Sequence, residues 1–122
     1  MTHPMQAIIE ELWERRTELS PQSPVDTIAA INQVINELDT GAIRVAEKIN
    51  GEWFTHQWIK KAVLLSFRVR ESRIQEAGDM RFYDKVDTKF ADWSEEDFKR
   101  GGFRVVPPAV ARKGSFIAKD AV

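Results

Sequence analysis

The hydrophobic pattern of this 122-residue chain changes its period at residue 42. Before that point apolar residues recur every three or four positions, which is typical of amphipathic helices. After it Ile43, Val45 and Ile49 occupy alternate positions, which is typical of a strand. Asn50-Gly51 can then supply the two positive φ angles of a type I′ turn, and residues 52–55 return as the partner strand. The sequence therefore predicts an α+β fold in which helices precede a β-hairpin.

The first 41 residues predict two helices joined by a short Pro/Ser link, as in a helical hairpin. Pro4 suits the first turn of the first helix, and Ser20-Pro21 ends that helix. Ser23 is placed to cap the second helix, and Gly41 to end it. The expected apolar stripes are Met5, Ile8, Ile9, Leu12, Trp13 and Leu19 in the first helix, and Val25, Ile28, Ile31, Ile35 and Leu38 in the second.

Residues 56–68 allow two interpretations. The run AVLLSF could form a buried strand, but the apolar residues from Trp58 to Phe67 fit one face of a helix of about three turns. Lys60-Lys61 interrupts any strand-like alternation. We therefore predict a helix here.

The region from residue 70 to residue 102 gives weaker signals. Residues 70–92 look irregular, with a turn at Gly78-Asp79 and a short extended piece at MRFYDKV. Asp92 is then expected to cap a further helix, with Glu95 three residues later. Gly101-Gly102 is expected to end it.

Composition excludes several classes of protein. The chain has no cysteine, so disulfides and thiolate zinc sites are excluded. It has no apolar run near the ~20 residues of a membrane span, and its N-terminus does not resemble a secretion signal. The formal net charge of −1 argues against non-specific nucleic-acid binding. We expect a cytoplasmic globular protein that binds neither membrane nor nucleic acid.

The charges are unevenly distributed along the chain. Residues 1–56 carry nine acidic and four basic side chains, whereas residues 57–122 carry ten acidic and fourteen basic ones. Residues 99–119 include six basic and no acidic side chains. Such a stretch is usually a solvated face, and the alternative is a local site for carboxylates or phosphates.

Few residues suggest a self-contained active site. His3 and His56 lack metal-ligand spacing, and His56 suits a capping or packing role better than catalysis. The chain has no glycine-rich phosphate loop and no nucleophile elbow. The four tryptophans fall on apolar faces and are expected to fill a core: Trp13, Trp53, Trp58 and Trp93.

Arg104 allows two interpretations. It lies in an extended stretch between Gly101-Gly102 and Pro107-Pro108, where the backbone has little freedom. A guanidinium held there can bind a carboxylate through two parallel hydrogen bonds. The alternative is a surface arginine that alternates outward from Phe103 and Val105, and spacing alone favours this alternative.

The end of the chain divides into two groups of six residues, 111–116 and 117–122. Each opens with an aliphatic residue and has a small residue at its fifth position, Ser115 or Ala121. Hexapeptide repeats of β-helices have this pattern. Two repeats are a weak signal, and several coils are needed for a stable stack. If the pattern is real, the chain is the front end of a longer protein.

Three stretches resemble the N-terminal part of the bacterial tetrahydrodipicolinate N-succinyltransferase family: GAIRVAEKINGEWFTHQWIKKAVLLSFR, RFYDKVDTKFADW and GGFRVVPPAVARKGSFIAKDAV. The resemblance covers essentially all 122 residues in order. It implies an N-terminal α/β domain over residues 1–102, then an extended linker and the start of a left-handed parallel β-helix over residues 103–122.

The resemblance also implies an activity. Family members move succinyl from succinyl-CoA to the amine of 2-amino-6-oxopimelate, formed from tetrahydrodipicolinate, in the diaminopimelate route to lysine. They are cytoplasmic homotrimers without a metal or prosthetic group. The family's substrate-binding arginine in GFRVVPP falls on Arg104, and the catalytic carboxylates and coenzyme A groove fall beyond Val122. The resemblance thus assigns Arg104 to substrate binding and assigns no catalytic, cofactor-binding or metal residue to this chain.

A second hypothesis belongs to another class. The chain could be a free-standing α/β interaction module that binds a partner through its amphipathic helices. Such a module should end in a polar, closed C-terminus, whereas residues 117–122 look cut in mid-repeat. The coding sequence beyond Val122 would decide between the two hypotheses.

Overall fold

The computed structural model describes residues 3–122. These residues form four α-helices and two antiparallel β-hairpins, which confirms the α+β class. In chain order the elements are α1 (Gln6–Glu14), a 3₁₀ helix (Arg16–Glu18), α2 (Val25–Thr40), β1 (Ala46–Ile49), β2 (Glu52–Thr55), α3 (Gln57–Arg68), β3 (Arg73–Ala77), β4 (Met80–Asp84) and α4 (Glu95–Gly101).

The core lies between α1, α2 and α3. Helix α3 packs against both of the others, and every buried apolar side chain among residues 3–122 lies at or before Val69. The largest fully buried side chains are Ile9, Ile31, Val34, Ile59 and Leu65. The two hairpins therefore lie outside the core, and the three helices supply most of the apolar burial that stabilises the fold.

Two elements confirm the sequence predictions directly. Asn50 and Gly51 have φ angles of 52° and 85°, so the first hairpin closes with the predicted turn. Helix α3 buries Trp58, Ile59, Ala62, Leu65 and Ser66, which share one helical face. The helical interpretation of residues 56–68 was therefore correct.

The first helix is shorter than predicted. α1 ends at Glu14, and residues 16–18 continue as a 3₁₀ helix instead of α-helix. The Arg16 guanidinium lies 4.4 Å from the Trp13 ring centroid and donates a hydrogen bond to the Trp13 carbonyl. This bond satisfies one of the carbonyls left free at the end of the helix.

The second helix ends at Thr40 with Gly41 as its C-cap, as predicted, but it begins differently from the prediction. Pro24 is the N-cap of α2, and Ser23 is not a cap. The Ser23 hydroxyl instead accepts a hydrogen bond from the Ser20 amide, so it closes the turn before the helix. Val25 is 85% exposed and does not belong to the apolar stripe.

The prediction that residues 70–92 are irregular was wrong for the hairpin within them, although the extended piece at MRFYDKV was confirmed as β4. β3 pairs with β4 around the expected turn at Gly78-Asp79. Most residues of both strands are exposed, so they need no apolar alternation. The Gln75 side chain donates to the carbonyls of Asp84 and Val86 and ties the hairpin to the segment that follows.

The predicted cap at Asp92 was also wrong. Ser94 caps α4, two residues later, and Asp97 completes a capping box with it. Gly102 ends the helix, as the Gly101-Gly102 pair predicted.

The expectation that all four tryptophans fill the core was wrong for Trp53 and Trp93. The Trp53 side chain is 73% exposed on β2. Trp58 is buried and the half-buried Trp13 packs against the core, whereas Trp93 is half-buried in a separate aromatic cluster with Phe90, Phe98 and Phe103. A two-stranded hairpin that does not pack on a second layer leaves both of its faces in solvent, whatever side chains it carries.

Residues 103–122, here named the C-terminal segment, contain turns but no helix or ladder strand. The turns fall at residues 107–108, 113–114 and 119–120, at intervals of six. Within residues 3–122, none of the helices has the length and apolarity needed to cross a membrane.

Candidate functional site

Arg104 lines a groove of about 840 Å³ between hairpin β3–β4, residues 88–91 and the C-terminal segment. We call it the Arg104 groove. Arg104 is the only basic residue in the described lining, and Glu76 is the only acidic one. The Glu76 carboxylate is engaged by Arg81 at 2.8 Å. Most of the remaining lining is apolar: Ala77, Met80, Phe82, Phe90, Phe98, Phe103, Val105 and Val106.

The basic side chains near the end of the chain differ in their partners. Arg100 pairs with Asp97 at 2.7 Å, and Arg112 pairs with Asp84 at 3.2 Å. Lys99 lies 3.9 Å from Glu95. By contrast with Arg100 and Arg112, the exposed Arg104 guanidinium forms no ion pair or side-chain hydrogen bond with residues 3–122, as is also true of the Lys113 and Lys119 side chains. The Arg104 donors are free for a ligand, and a guanidinium can bind a carboxylate through two of them at once.

The backbone around Arg104 is held in place. The Arg104 amide donates to the Ala121 carbonyl at 3.0 Å, and the Asp120 amide donates to the Gly102 carbonyl at 2.6 Å. Phe103 joins an aromatic cluster, with its ring centroid 5.7 Å from those of both Phe90 and Trp93. The backbone of Arg104 is thus held in place although its guanidinium is exposed.

One wall of the groove depends on the start of α4. The Ser94 amide donates to Asp97 Oδ2 at 2.8 Å, and the Ser94 hydroxyl accepts from the Asp97 amide at 3.3 Å. The hydrogen bond from the Ser94 backbone, aided by the Ser94 hydroxyl and Arg100, lowers the pKa of Asp97 below its ordinary value of 3.8. The ionised capping box therefore stabilises the helix that places Phe98 in the groove.

The C-terminal segment is anchored to the helical core at two points. Phe116 packs against the backbone of Gly41, and the Arg44 guanidinium lies 3.9 Å from the ring centroid of Phe116. The buried Lys89 joins the end of α2 to the same segment. The sequence analysis missed both anchors because their members are 26 to 75 positions apart, beyond any periodic pattern.

The two histidines lie away from the groove lining. His56 Nε2 lies 2.7 Å from Glu47 Oε1, and its ring contacts Phe54 edge-on. This agrees with a packing role, whereas its side chain forms no capping hydrogen bond to α3. His3 Nε2 lies 3.2 Å from Glu37 Oε1. Within the described part of the chain, no three histidine or acidic side chains cluster in a way that could hold a metal ion.

Chemically, the groove offers one free cation at the edge of an apolar surface. An ion pair formed beside apolar side chains is less weakened by water than one on an open surface. The arrangement can bind and orient a carboxylate. Arg104, the one residue expected to act at a site, lies in this groove, and both histidines lie elsewhere.

Comparisons with known proteins identify close sequence relatives. Residues 4–69 match the family described as tetrahydrodipicolinate N-succinyltransferase N-terminal. The chain is 77% identical over 122 residues to the 2,3,4,5-tetrahydropyridine-2,6-dicarboxylate N-succinyltransferase of Dechloromonas aromatica, covering all of this chain and 45% of that protein. It is 59% identical over 121 residues to the protein of the same name from Chromobacterium violaceum, covering 98% of this chain and 44% of that protein. The chain spans less than half the length of these curated relatives.

Proposed function

Because the chain belongs to the tetrahydrodipicolinate N-succinyltransferase N-terminal family, we propose that it is the N-terminal part of a complete succinyltransferase. The proposed reaction moves succinyl from succinyl-CoA to the amine of 2-amino-6-oxopimelate in lysine and diaminopimelate biosynthesis. The thioester C–S bond breaks, an amide C–N bond forms, and the coenzyme A thiol leaves. A general base takes the proton from the attacking amine.

We assign this chain the binding of the dicarboxylate substrate through Arg104. The observation that carries this proposal is the free guanidinium in an apolar groove, beside arginines that already have carboxylate partners. A dicarboxylate supplies the planar anion that a guanidinium binds with two hydrogen bonds. Binding here would hold the substrate in place while its amine attacks the thioester, and such positioning supplies a large share of the rate gain in two-substrate transfers.

We further propose that the C-terminal segment is the first coil of a left-handed β-helix. Its turns recur every six residues, and Gly114 and Asp120, also six apart, both have positive φ angles. The hydrogen bond from Asp120 to Gly102 joins residues eighteen positions apart, which is three groups of six. These features support the proposal because one triangular coil of a β-helix contains three hexapeptides. The division into residues 1–102 and 103–122 stays a prediction.

The catalytic groups and the succinyl-CoA site are proposed to lie outside these 122 residues, on later coils. The family resemblance also implies a cytoplasmic homotrimer, with active sites between neighbouring subunits. Oligomeric state and location remain predictions.

The test uses the complete protein and calorimetric titration with a dicarboxylate substrate analogue and with coenzyme A. Arg104→Ala should weaken dicarboxylate binding by about 2–4 kcal/mol and leave coenzyme binding unchanged, as expected when one partner of a charged pair is removed. Arg112→Ala is the matched control, because this arginine lies in the same segment but pairs with Asp84. Equal dicarboxylate affinities in the Arg104→Ala variant and the unmodified protein would overturn the assignment.

One observation favours the interaction module as a second candidate. Hairpin β1–β2 exposes Ile49, Trp53 and Phe54, which a partner protein could cover. The coding sequence beyond Val122 discriminates between the candidates. Further hexapeptides would support the enzyme, and an immediate stop codon would support the module.

A further inference from the structure

Lys89 is the most deeply buried charged side chain in the described part of the molecule. Its side chain is 5% exposed. The ammonium group donates to Asp39 Oδ1 at 2.9 Å, to the Asp39 carbonyl at 2.7 Å and to the Ser115 carbonyl at 2.7 Å. All three of its N–H donors therefore have an acceptor, so the buried charge is fully satisfied.

Asp39 connects the same elements from the other side. Its Oδ1 atom accepts a hydrogen bond from the Gly114 amide at 2.8 Å. The Lys89 amide also donates to the Ala111 carbonyl at 2.9 Å. The pair thus bonds the last turn of α2, residue 89 and residues 111–115 into one joint. Removing the Lys89 charge and part of the Asp39 charge from water costs free energy that an apolar pair would avoid, so this joint contributes geometry more than stability.

The joint reaches Arg104 through the backbone of the C-terminal segment. This segment is closed on itself where Arg104 and Gly102 bond to Ala121 and Asp120. A shift at Gly114 and Ser115 would therefore move the closed segment, and Arg104 with it, relative to hairpin β3–β4. That hairpin forms the opposite wall of the Arg104 groove.

We propose that Lys89 and Asp39 are positioning residues for Arg104. Their ion pair sets the angle at which the C-terminal segment meets the helical core, and that angle sets where the guanidinium lies in the groove. Neither residue lines the Arg104 groove, so both act through the segment. This inference rests on the proposed function, in which Arg104 binds the dicarboxylate.

The kinetic test uses the complete protein. Lys89→Met, which keeps the length of the side chain but removes its charge, should raise KM for the dicarboxylate about tenfold, as misplacement from a distance can do. The KM for succinyl-CoA and kcat should stay unchanged. Lys85→Met is the matched control, because Lys85 also donates to a carbonyl, that of Phe67, but does not reach the C-terminal segment. Asp39→Asn, which keeps an acceptor for Gly114, should act in the same direction and serves if Lys89→Met folds poorly.

The double variant Asp39→Asn/Lys89→Met separates positioning from stability. It removes both charges of the pair, so it should recover thermal stability that Lys89→Met loses by leaving the partly buried Asp39 without its cation. It should not restore KM for the dicarboxylate. The inference is wrong if KM recovers together with stability, or if Lys89→Met leaves KM unchanged while Arg104→Ala raises it. If Arg104→Ala leaves KM for the dicarboxylate unchanged, the proposed role of Arg104 is wrong, whatever the result for Lys89→Met.

Hydrogen exchange on the 122-residue chain gives a readout independent of activity. In Lys89→Met the amides of Arg104, Gly114 and Asp120, all hydrogen-bonded in the joint or the segment closure, should exchange faster. Amides in the middle of α2 and α3 should keep their protection. Equal loss of protection in the segment and in these helices would overturn the positioning role, as would unchanged exchange throughout.

Discussion

Phe116 packs directly against the backbone of Gly41. A Cβ atom built at position 41 would lie 2.6 Å from Phe116 Cε1, which is closer than real Cβ contacts allow. Gly41 also has a φ angle of +83°, in the left-handed region that favours glycine. This single residue therefore ends α2 and admits the ring that anchors the C-terminal segment.

Gly41→Ala should destabilise the protein for two reasons. The left-handed backbone penalises any Cβ by about 1 kcal/mol, and the overlap with Phe116 adds about 1–3 kcal/mol. Gly78→Ala is the matched control, since Gly78 has a φ of +64° but no atom within 4 Å of the added Cβ. Urea unfolding measures both losses. Equal losses in the two variants would contradict the contact between Gly41 and Phe116.

Leu65→Ala should cost about 3–5 kcal/mol in the free energy of unfolding, because it opens a cavity between the helices. Leu65 is completely buried on α3. Its neighbour Leu64 is 49% exposed, so Leu64→Ala serves as the control and should cost far less. Chemical denaturation of both variants tests which face of α3 meets the core. A strand over residues 56–68 would also place these two side chains on opposite faces, so the stability losses alone do not separate a strand from a helix. Circular dichroism of the variants distinguishes the two.

Asp97 links stability to acid pH. Its pKa is lowered in the folded protein, chiefly by the hydrogen bond from the Ser94 backbone, so its ionised form favours folding. This stabilisation is fully present above the ordinary value of 3.8 and is lost as the pH falls through the lower folded value. Asp97→Asn should therefore lower stability at neutral pH, with a difference from the unmodified chain that shrinks towards acid pH.

Thermal unfolding between pH 2 and pH 7, a range of about five units that includes the titration of Asp97, measures this dependence. Asp92→Asn is the control, because Asp92 is exposed and takes no part in the capping box. A larger loss of stability in Asp92→Asn than in Asp97→Asn would show that Asp92 caps α4, as the sequence predicted.

The 122-residue chain alone should show no succinyl-CoA-dependent acyl transfer. The proposed assignment gives it one substrate-positioning residue, Arg104, and no group that activates the amine. A thiol-release assay with succinyl-CoA and the amine substrate measures the activity. Turnover above the uncatalysed rate would mean that the catalytic groups lie within this chain.

Elements with a strong local signal in the sequence were predicted, and elements defined by packing or pairing at a distance were not. Helices α2 and α3 and hairpin β1–β2 were predicted because their signals are local: a 3.6-residue apolar period in the helices, and an Asn-Gly turn in the hairpin. The turn at Gly78-Asp79 and the extended piece that forms β4 were predicted, but β3 and its pairing with β4 were missed because these strands are mostly exposed and need no apolar pattern. The start of α4 was misplaced because Asp92 and Ser94 are both residue types that cap helices. Only the structure shows that Ser94 is the cap, since Asp97, three residues later, accepts a hydrogen bond from the Ser94 amide.

For Arg104, too, the sequence showed some properties and the structure was needed for others. Its place between glycines and prolines, and its match to a family motif, were visible in the sequence. That it lacks a carboxylate partner, while Arg100 and Arg112 have one, depends on which acidic side chains lie nearby in space. Arg100 pairs within its own helix, but Arg112 pairs with Asp84, 28 positions away, and such a pair leaves no periodic trace in a sequence.

The sequence by itself determined the α+β class, the turn at Asn50-Gly51, the helical character of residues 57–68 and the family. These properties depend on backbone preferences and apolar periods that act over a few residues. Only the tertiary structure decided that Lys89 meets Asp39, that Phe116 meets Gly41, and that the C-terminal segment closes one wall of a groove around Arg104. The first two contacts join residues 50 and 75 positions apart, and their partners are selected by the packing of the whole chain.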